Sequence, residues 1–90
     1  MKSITHRTVT FTFKDVPGKT VCVAGTFNDW SPYADRLHDC SQAGEYVISI
    51  RLPYGQHEYK FVVNGIWVID PKNPDCALSG HGTLNNIIIV

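Results

Sequence analysis

Apolar and polar residues alternate along most of this chain, and this pattern constrains its fold more than any other feature. Val9, Phe11 and Phe13 alternate with polar residues, and the same period recurs over 46–52 and 57–63. A period of two places successive side chains on opposite faces of a strand. No window carries the i, i+3, i+4, i+7 apolar stripe of a helix. The chain is therefore predicted to be all-β.

Turn residues divide the chain into short strands. We expect strands at 6–14, 20–25, 45–52, 57–63, 66–69 and 84–90. The segments 27–44 and 70–82 lack alternation and are expected to be long loops, the first with at most one helical turn. Six or seven short strands in 90 residues predict one domain, 1–90, with an immunoglobulin-like β-sandwich of about seven strands.

Asn64 and Gly65 lie between two apolar runs and form the clearest turn in the sequence. Asn-Gly favours a two-residue type I′ turn, because both central residues then need a positive φ. The turn predicts the pairs Val63–Ile66, Val62–Trp67, Phe61–Val68 and Lys60–Ile69. The side chains expected in the core are then Tyr59, Phe61, Val63, Ile66 and Val68. Those expected on the opposite face are Lys60, Val62, Trp67 and Ile69.

This register places the Trp67 indole on an outer face, with Lys60 diagonal to it. The ring could simply cover the sheet, with the Lys60 stem packed on it or the ammonium in a cation–π contact. Alternatively, a flat ring beside a hydrogen-bond donor can hold a sugar, whose C–H face lies on the ring. Trp30, in the polar loop 25–32, could plug one end of the sandwich or join this surface. The residue pattern alone leaves these interpretations open.

The charge balance argues against two classes of partner. Eight basic and eight acidic side chains give a formal net charge of zero, which leaves no excess positive charge for phosphates or anionic lipids. We therefore expect neither nucleic acid nor a membrane as partner. No signal-peptide pattern and no run of ~20 apolar residues occurs, so the expected location is cytoplasmic.

Groups that carry catalysis or bind metals occur without the spacing such chemistry needs. Cys22, Cys40 and Cys76 have no metal-ligand spacing, and their odd number argues for free thiols. The four histidines are scattered, and no serine has a Gly-x-Ser-x-Gly context. We expect no metal, no cofactor and no catalysis. The small size of the chain favours a binding role over catalysis.

Three segments together resemble the glycogen- and starch-binding modules of carbohydrate-binding module family 48. They are 23–30, which ends in Asn-Asp-Trp; 55–67, which contains Tyr-Lys-Phe and Asn-Gly-Ile-Trp; and 82–88, Gly-Thr-Leu-Asn-Asn-Ile-Ile. Their order and spacing match over roughly 8–90. Within that family the pattern is most similar to the glycogen-binding domains of kinase β subunits.

The resemblance implies an early-set immunoglobulin-like fold and non-catalytic binding of α-1,4-glucans such as glycogen, starch and maltooligosaccharides. The ligand-binding positions that it implies are Trp30, Lys60, Trp67, Thr83 and Asn85. The two tryptophans would stack on glucose faces, and the other three would bond hydroxyls. Kinase-associated members carry a leucine where this chain has His81.

Two alternatives remain open. Thr83 favours strands in any case, and Asn85 and Asn86 could merely satisfy backbone groups at the start of a strand. The whole chain could also be a protein-interaction module that docks on a glycogen-metabolising enzyme or a kinase subunit. Its exposed aromatic rings would then face protein instead of sugar.

Overall fold

The computed structural model describes residues 5–79 and 82–90. Within them lie seven strands: β1 (His6–Lys14), β2 (Val21–Gly25), β3 (Glu45–Pro53), β4 (Gln56–Val63), β5 (Ile66–Val68), β6 (Cys76–Leu78) and β7 (Leu84–Ile89). A single 3₁₀ turn, Thr26–Asn28, interrupts the first long loop. The all-β prediction is confirmed. His81, where the chain departs from the leucine of the kinase-associated members, lies outside the described residues.

The strands form two antiparallel sheets that enclose the core. β1 pairs with β3 along its whole length, and the other sheet has the order β2-β4-β7-β6 with β5 also paired to β4. Buried aromatic rings from both sheets pack together: Phe11, Phe13, Tyr46, Tyr59 and Phe61. This confirms the β-sandwich and the core positions predicted for Tyr59 and Phe61. The finer, early-set immunoglobulin-like connectivity stays a prediction.

The Asn64-Gly65 hairpin has the predicted turn and most of the predicted register. Both residues have a positive φ, 48° and 81°, and the pairs from Val63–Ile66 to Phe61–Val68 form as expected. The fourth pair was wrong, because β5 ends at Val68, before Ile69.

The placement of Ile66 in the core was also wrong, since 66% of this residue is exposed. Val68 packs on the core cluster, whereas Ile66, next to the turn, does not join it. A facing sheet of only two strands cannot cover every strand of the wider sheet.

The segment 70–82 is not simply a loop, because β6 lies within it and pairs with β7. A buried polar network holds the chain that leads to β6. The Asn86 side chain accepts a hydrogen bond from Asp70 N (2.6 Å) and donates to Asn73 O (3.0 Å). Tyr59 Oη donates to Asp70 Oδ2 (2.8 Å) and accepts from Asn73 Nδ2 (3.1 Å). Burial raises the pKa of Tyr59 far above its ordinary value, so the phenol keeps its proton.

The three cysteines are free thiols, as predicted, with Cys22 buried and Cys40 and Cys76 exposed. Among the described residues, no helix is long and apolar enough to cross a bilayer.

Candidate functional site

A groove of about 610 Å³ runs over the outer face of the five-stranded sheet. All five residues expected at a ligand site line it: Trp30, Lys60, Trp67, Thr83 and Asn85. Four further lining residues were not anticipated: Thr26, Glu58, Leu78 and Ser79. A separate concavity of about 660 Å³ lies between 17–19 and 36–42 and contains neither tryptophan.

The Asn28 side chain shapes the loop that carries Trp30. Its Oδ1 accepts from Gly25 N (3.0 Å), and its Nδ2 donates to Val23 O (3.0 Å) and Asp35 Oδ2 (2.8 Å). Asp29 and Trp30 both adopt left-handed backbone angles, with φ of 55° and 58°. This conformation is unfavourable for an L side chain. The bonds of Asn28 therefore hold a local backbone shape that the chain would otherwise avoid.

Trp30 packs on the outer face of the sheet, not in the core between the sheets. Its half-buried side chain covers a small apolar cluster of Cys22, Ala24 and Val62, which is separate from the main core. The interpretation of Trp30 as a plug at the end of the sandwich was therefore wrong. Trp30 contributes to packing and lines the groove at the same time.

Gly25 allows the Trp30 loop to lie close to β4. A Cβ at this position would overlap the Glu58 carbonyl oxygen, and it would lie 2.7 Å from the Phe27 ring. The backbone of Gly25 is extended, so the requirement concerns space and not φ. Any larger residue would displace the start of this loop.

Trp67 and Lys60 line the groove from the β4–β5 hairpin. Trp67 is 44% exposed and lies opposite Val62 in the β4–β5 ladder. Within residues 5–79 and 82–90, no hydrogen bond or ion pair engages the Lys60 ammonium. Its three N–H groups can therefore donate to a ligand.

Glu58 holds the Asn85 amide in one orientation. Asn85 Nδ2 donates to Glu58 Oε1 at 3.1 Å, so Asn85 Oδ1 is left as an acceptor. Glu58 was not predicted to belong to the site, although its position in β4 indicates the same face as Lys60. In β4, residues 58, 60 and 62 share a face because side chains alternate.

The chain around β6 and β7 closes one side of the groove. Ser79 N donates to Thr83 O (2.7 Å), and the two hydroxyl oxygens lie 3.0 Å apart. Leu78, at the end of β6, is largely exposed and lines the groove with them. Leu78 and Ser79 were missed because their segment carries no strand pattern, so only its pairing with β7 brings them here.

The groove is suited to a neutral ligand that has both apolar faces and many hydroxyls. Two flat rings offer apolar contact, and ammonium, amide, hydroxyl and carboxylate groups lie beside them. One carboxylate, Glu58, and one ammonium, Lys60, balance in charge among its described lining residues. Such a surface provides no net field that would attract an anion.

The chain is similar to proteins of one known family. Residues 7–90 match the family described as the glycogen recognition site of AMP-activated protein kinase. The 5'-AMP-activated protein kinase subunit beta-2 of Mus musculus is 41% identical over 73 residues, which are 81% of this chain and 26% of that protein. The beta-1 subunit of Homo sapiens is 42% identical over 73 residues, 81% of this chain and 25% of that protein.

The beta-1 protein of Sus scrofa is 42% identical over 73 residues, and 56% of its length is covered. The chain spans about a quarter of the length of the Mus musculus beta-2 subunit. Because the family match covers almost all of the sequence, this chain belongs to the family of glycogen recognition sites of AMP-activated protein kinase.

Proposed function

We propose that this chain is a non-catalytic module that binds α-1,4-glucans: glycogen, starch or maltooligosaccharides. One observation carries the proposal: the fold brings both tryptophans, Lys60, Thr83 and Asn85 into a single neutral groove. They come from three separate segments, namely the loop after β2, the β4–β5 hairpin and the start of β7, and the pairing of β4 with β2, β5 and β7 brings these segments side by side. The family and the kinase subunits that it includes support the same ligand class.

In the proposed complex, the C–H faces of glucose units lie on Trp30 and Trp67. Stacking on aromatic rings releases water from apolar surface, and the hydroxyls at the ring edges stay free to form hydrogen bonds. Lys60 and Thr83 donate to these hydroxyls. Asn85 Oδ1 accepts from one, because Glu58 already holds its Nδ2.

The groove supports binding without hydrolysis. Glycoside hydrolysis ordinarily uses a pair of carboxyl groups on either side of the bond. Among the described residues that line the groove, Glu58 is the only carboxylate, and it already accepts a bond from Asn85. We expect no reducing sugar to be released from amylopectin by the purified chain.

Titration with β-cyclodextrin and retardation in native gels that contain glycogen test the proposal. The wild-type chain should bind, and Trp67→Ala should lose about 1–3 kcal/mol of binding free energy, by analogy with base stacking on aromatic rings. Its melting temperature should change little, because nearly half of Trp67 is exposed. Tyr54→Ala is the matched control, since this exposed aromatic residue lies outside the groove.

Two results would contradict the proposal. The first is that neither ligand binds to the wild-type chain at millimolar concentration. The second is that Trp67→Ala loses stability and binding together, which would make Trp67 a core residue and not a binding residue.

A second candidate function is docking on a partner protein. Its support is that the curated relatives named above are subunits of a kinase and are mostly much longer than this chain. In that case the chain should co-elute with a kinase catalytic subunit in size-exclusion chromatography, and maltoheptaose should not disrupt the complex. Displacement of the partner by maltoheptaose would instead show that both use the groove.

A further inference from the structure

A second, smaller concavity adjoins the groove, and we call it the side pocket. It has a volume of about 210 Å³, and its lining residues are Thr20, Cys22, Pro32, Tyr33, Val62, Gly65 and Trp67. Of the described residues, Trp67 is the one that lines both the groove and the side pocket. A ligand that passes over Trp67 can therefore continue from one into the other.

Buried apolar side chains and one exposed aromatic ring line the side pocket. Cys22 and Val62 belong to the buried apolar cluster on which Trp30 packs, so the two concavities share one underlying layer. Tyr33 is 84% exposed, although its ring is large and mostly apolar. Exposed aromatic rings beside a pocket commonly mark a binding surface.

The loop around Tyr33 is held by its own hydrogen bonds. Ser31 Oγ accepts from Tyr33 N (3.3 Å) and Ala34 N (3.2 Å), and Ser31 N donates to Asn28 O (3.1 Å). Asn28 is the residue whose side chain also fixes the start of the Trp30 loop. The position of Tyr33 relative to the groove is therefore set by the same turn that positions Trp30.

We propose that the side pocket is a further glucose subsite, used by α-glucans long enough to extend past Trp67, with Tyr33 as its stacking ring. This inference rests on the proposed function of the groove. No charged side chain lines the side pocket among the described residues, which suits a neutral sugar. The Thr20 and Tyr33 hydroxyls provide its polar contacts, and the Pro32 ring adds apolar surface.

Isothermal titration with maltotriose and maltoheptaose tests the subsite. The wild-type chain should bind maltoheptaose more tightly than maltotriose. Tyr33→Ala should weaken maltoheptaose binding by roughly fivefold or more, as expected when one stacking ring is lost. It should leave maltotriose affinity within about twofold, because the shorter sugar occupies the groove alone.

Further variants separate stacking from other effects. Tyr33→Phe keeps the flat ring and should still bind maltoheptaose more tightly than maltotriose. Tyr33→Leu keeps an apolar side chain without the ring and should lose this difference in affinity. Tyr54→Ala, which removes an exposed ring that lines neither concavity, should leave both affinities unchanged. Melting temperatures of all variants should agree closely, since Tyr33 is so exposed.

The proposal is overturned if Tyr33→Ala leaves maltoheptaose binding unchanged, or if it weakens both sugars equally. In either case the proposed function of the groove stands if Trp67→Ala weakens the binding of both sugars by roughly fivefold or more. Failure of the wild-type chain to bind either sugar would instead remove the proposed function and the subsite with it.

Discussion

Asn85 and Asn86 are neighbours in β7, yet they occupy opposite environments. Asn86 is 0% exposed, and its amide bonds the backbone of the 70–76 segment. Asn85 is 8% exposed and lines the groove, where, among the described residues, its amide bonds only the side chain of Glu58. Two identical side chains thus serve different purposes, because successive residues of a strand point to opposite faces.

The comparison separates the two interpretations that the sequence left open for this pair. Asn86 satisfies backbone groups, as the structural interpretation expected. Asn85 does not bond the backbone among the described residues, and its Oδ1 has no hydrogen-bond partner among them. The predictions below test whether Asn86 contributes mainly to stability and Asn85 mainly to binding.

Asn86→Ala should have the largest effect, and the effect should be on stability. The substitution leaves Asp70 N and Asn73 O without their partners in a buried site, which costs about 2–4 kcal/mol. For a domain of this size the melting temperature should fall by roughly 10–25 °C. Thermal unfolding followed by circular dichroism measures this. A shift of only a few degrees would show that water or local rearrangement replaces the network.

Trp30→Ala should affect both sides of the comparison. Its side chain covers Cys22, Ala24 and Val62, so truncation exposes apolar surface and should destabilise the fold by about 1–3 kcal/mol. β-Cyclodextrin affinity should also fall, because one stacking ring is lost. Paired melting and titration experiments on Trp30→Ala and Trp67→Ala would measure this. An equal loss of stability in both variants would contradict the different packing of the two rings.

Asn85→Ala should weaken binding and leave the fold largely intact. Loss of one ligand hydrogen bond should reduce β-cyclodextrin affinity about tenfold. The melting temperature should change less than for Asn86→Ala, because Glu58 is only half-buried and can be hydrated once its partner is gone. Equal melting temperatures for Asn85→Ala and Asn86→Ala would contradict the different roles of the two asparagines.

Glu58 should affect β-cyclodextrin affinity through Asn85, and its effect should be smaller than that of Asn85 itself. Glu58→Gln keeps an acceptor for Asn85 Nδ2 and should bind β-cyclodextrin within about twofold of the wild type, whereas Glu58→Ala frees the amide and should bind several-fold more weakly. In the Asn85→Ala background, Glu58→Ala should add little. Additive losses in the double variant would mean that Glu58 contacts the ligand independently.

The smallest expected effect involves Asp15, which lies away from both asparagines. Its hydrogen bond from Lys19 (3.0 Å) and one from Val16 N hold the pKa of the Asp15 carboxyl below its ordinary value. The carboxylate therefore adds a little stability above pH ~4, and this is lost as the pH falls through the lowered pKa. The melting-temperature difference between wild type and Asp15→Asn should shrink below pH ~4, with no change in glucan binding. A difference that persists at low pH would contradict this.

Local patterns predicted the hairpin well, because its register depends on residues close in the sequence. Asn-Gly specifies a turn with two positive φ values, and the pairs next to it follow directly. The core positions of Tyr59 and Phe61 were predicted for the same reason, since both rings lie on the apolar side of an alternating strand.

The sequence analysis missed features that depend on contacts between distant segments. β6 has three residues, and its pairing with β7 distinguishes it from a loop. Ile66 alternates like a core residue but lies beyond the cover of the two-stranded sheet. Leu78 and Ser79 join the groove because β6 pairs with β7.

The sequence by itself determined the strand pattern, the hairpin register and the residue types available for a neutral ligand, because these follow from short-range periodicity and turn chemistry. Only the tertiary structure decided which polar side chains are used internally and which remain free. Burial and hydrogen-bond partners depend on what lies across the sheet, and this cannot be read from neighbours along the chain. Asn85 and Asn86, adjacent in sequence and opposite in environment, show the distinction within a single strand.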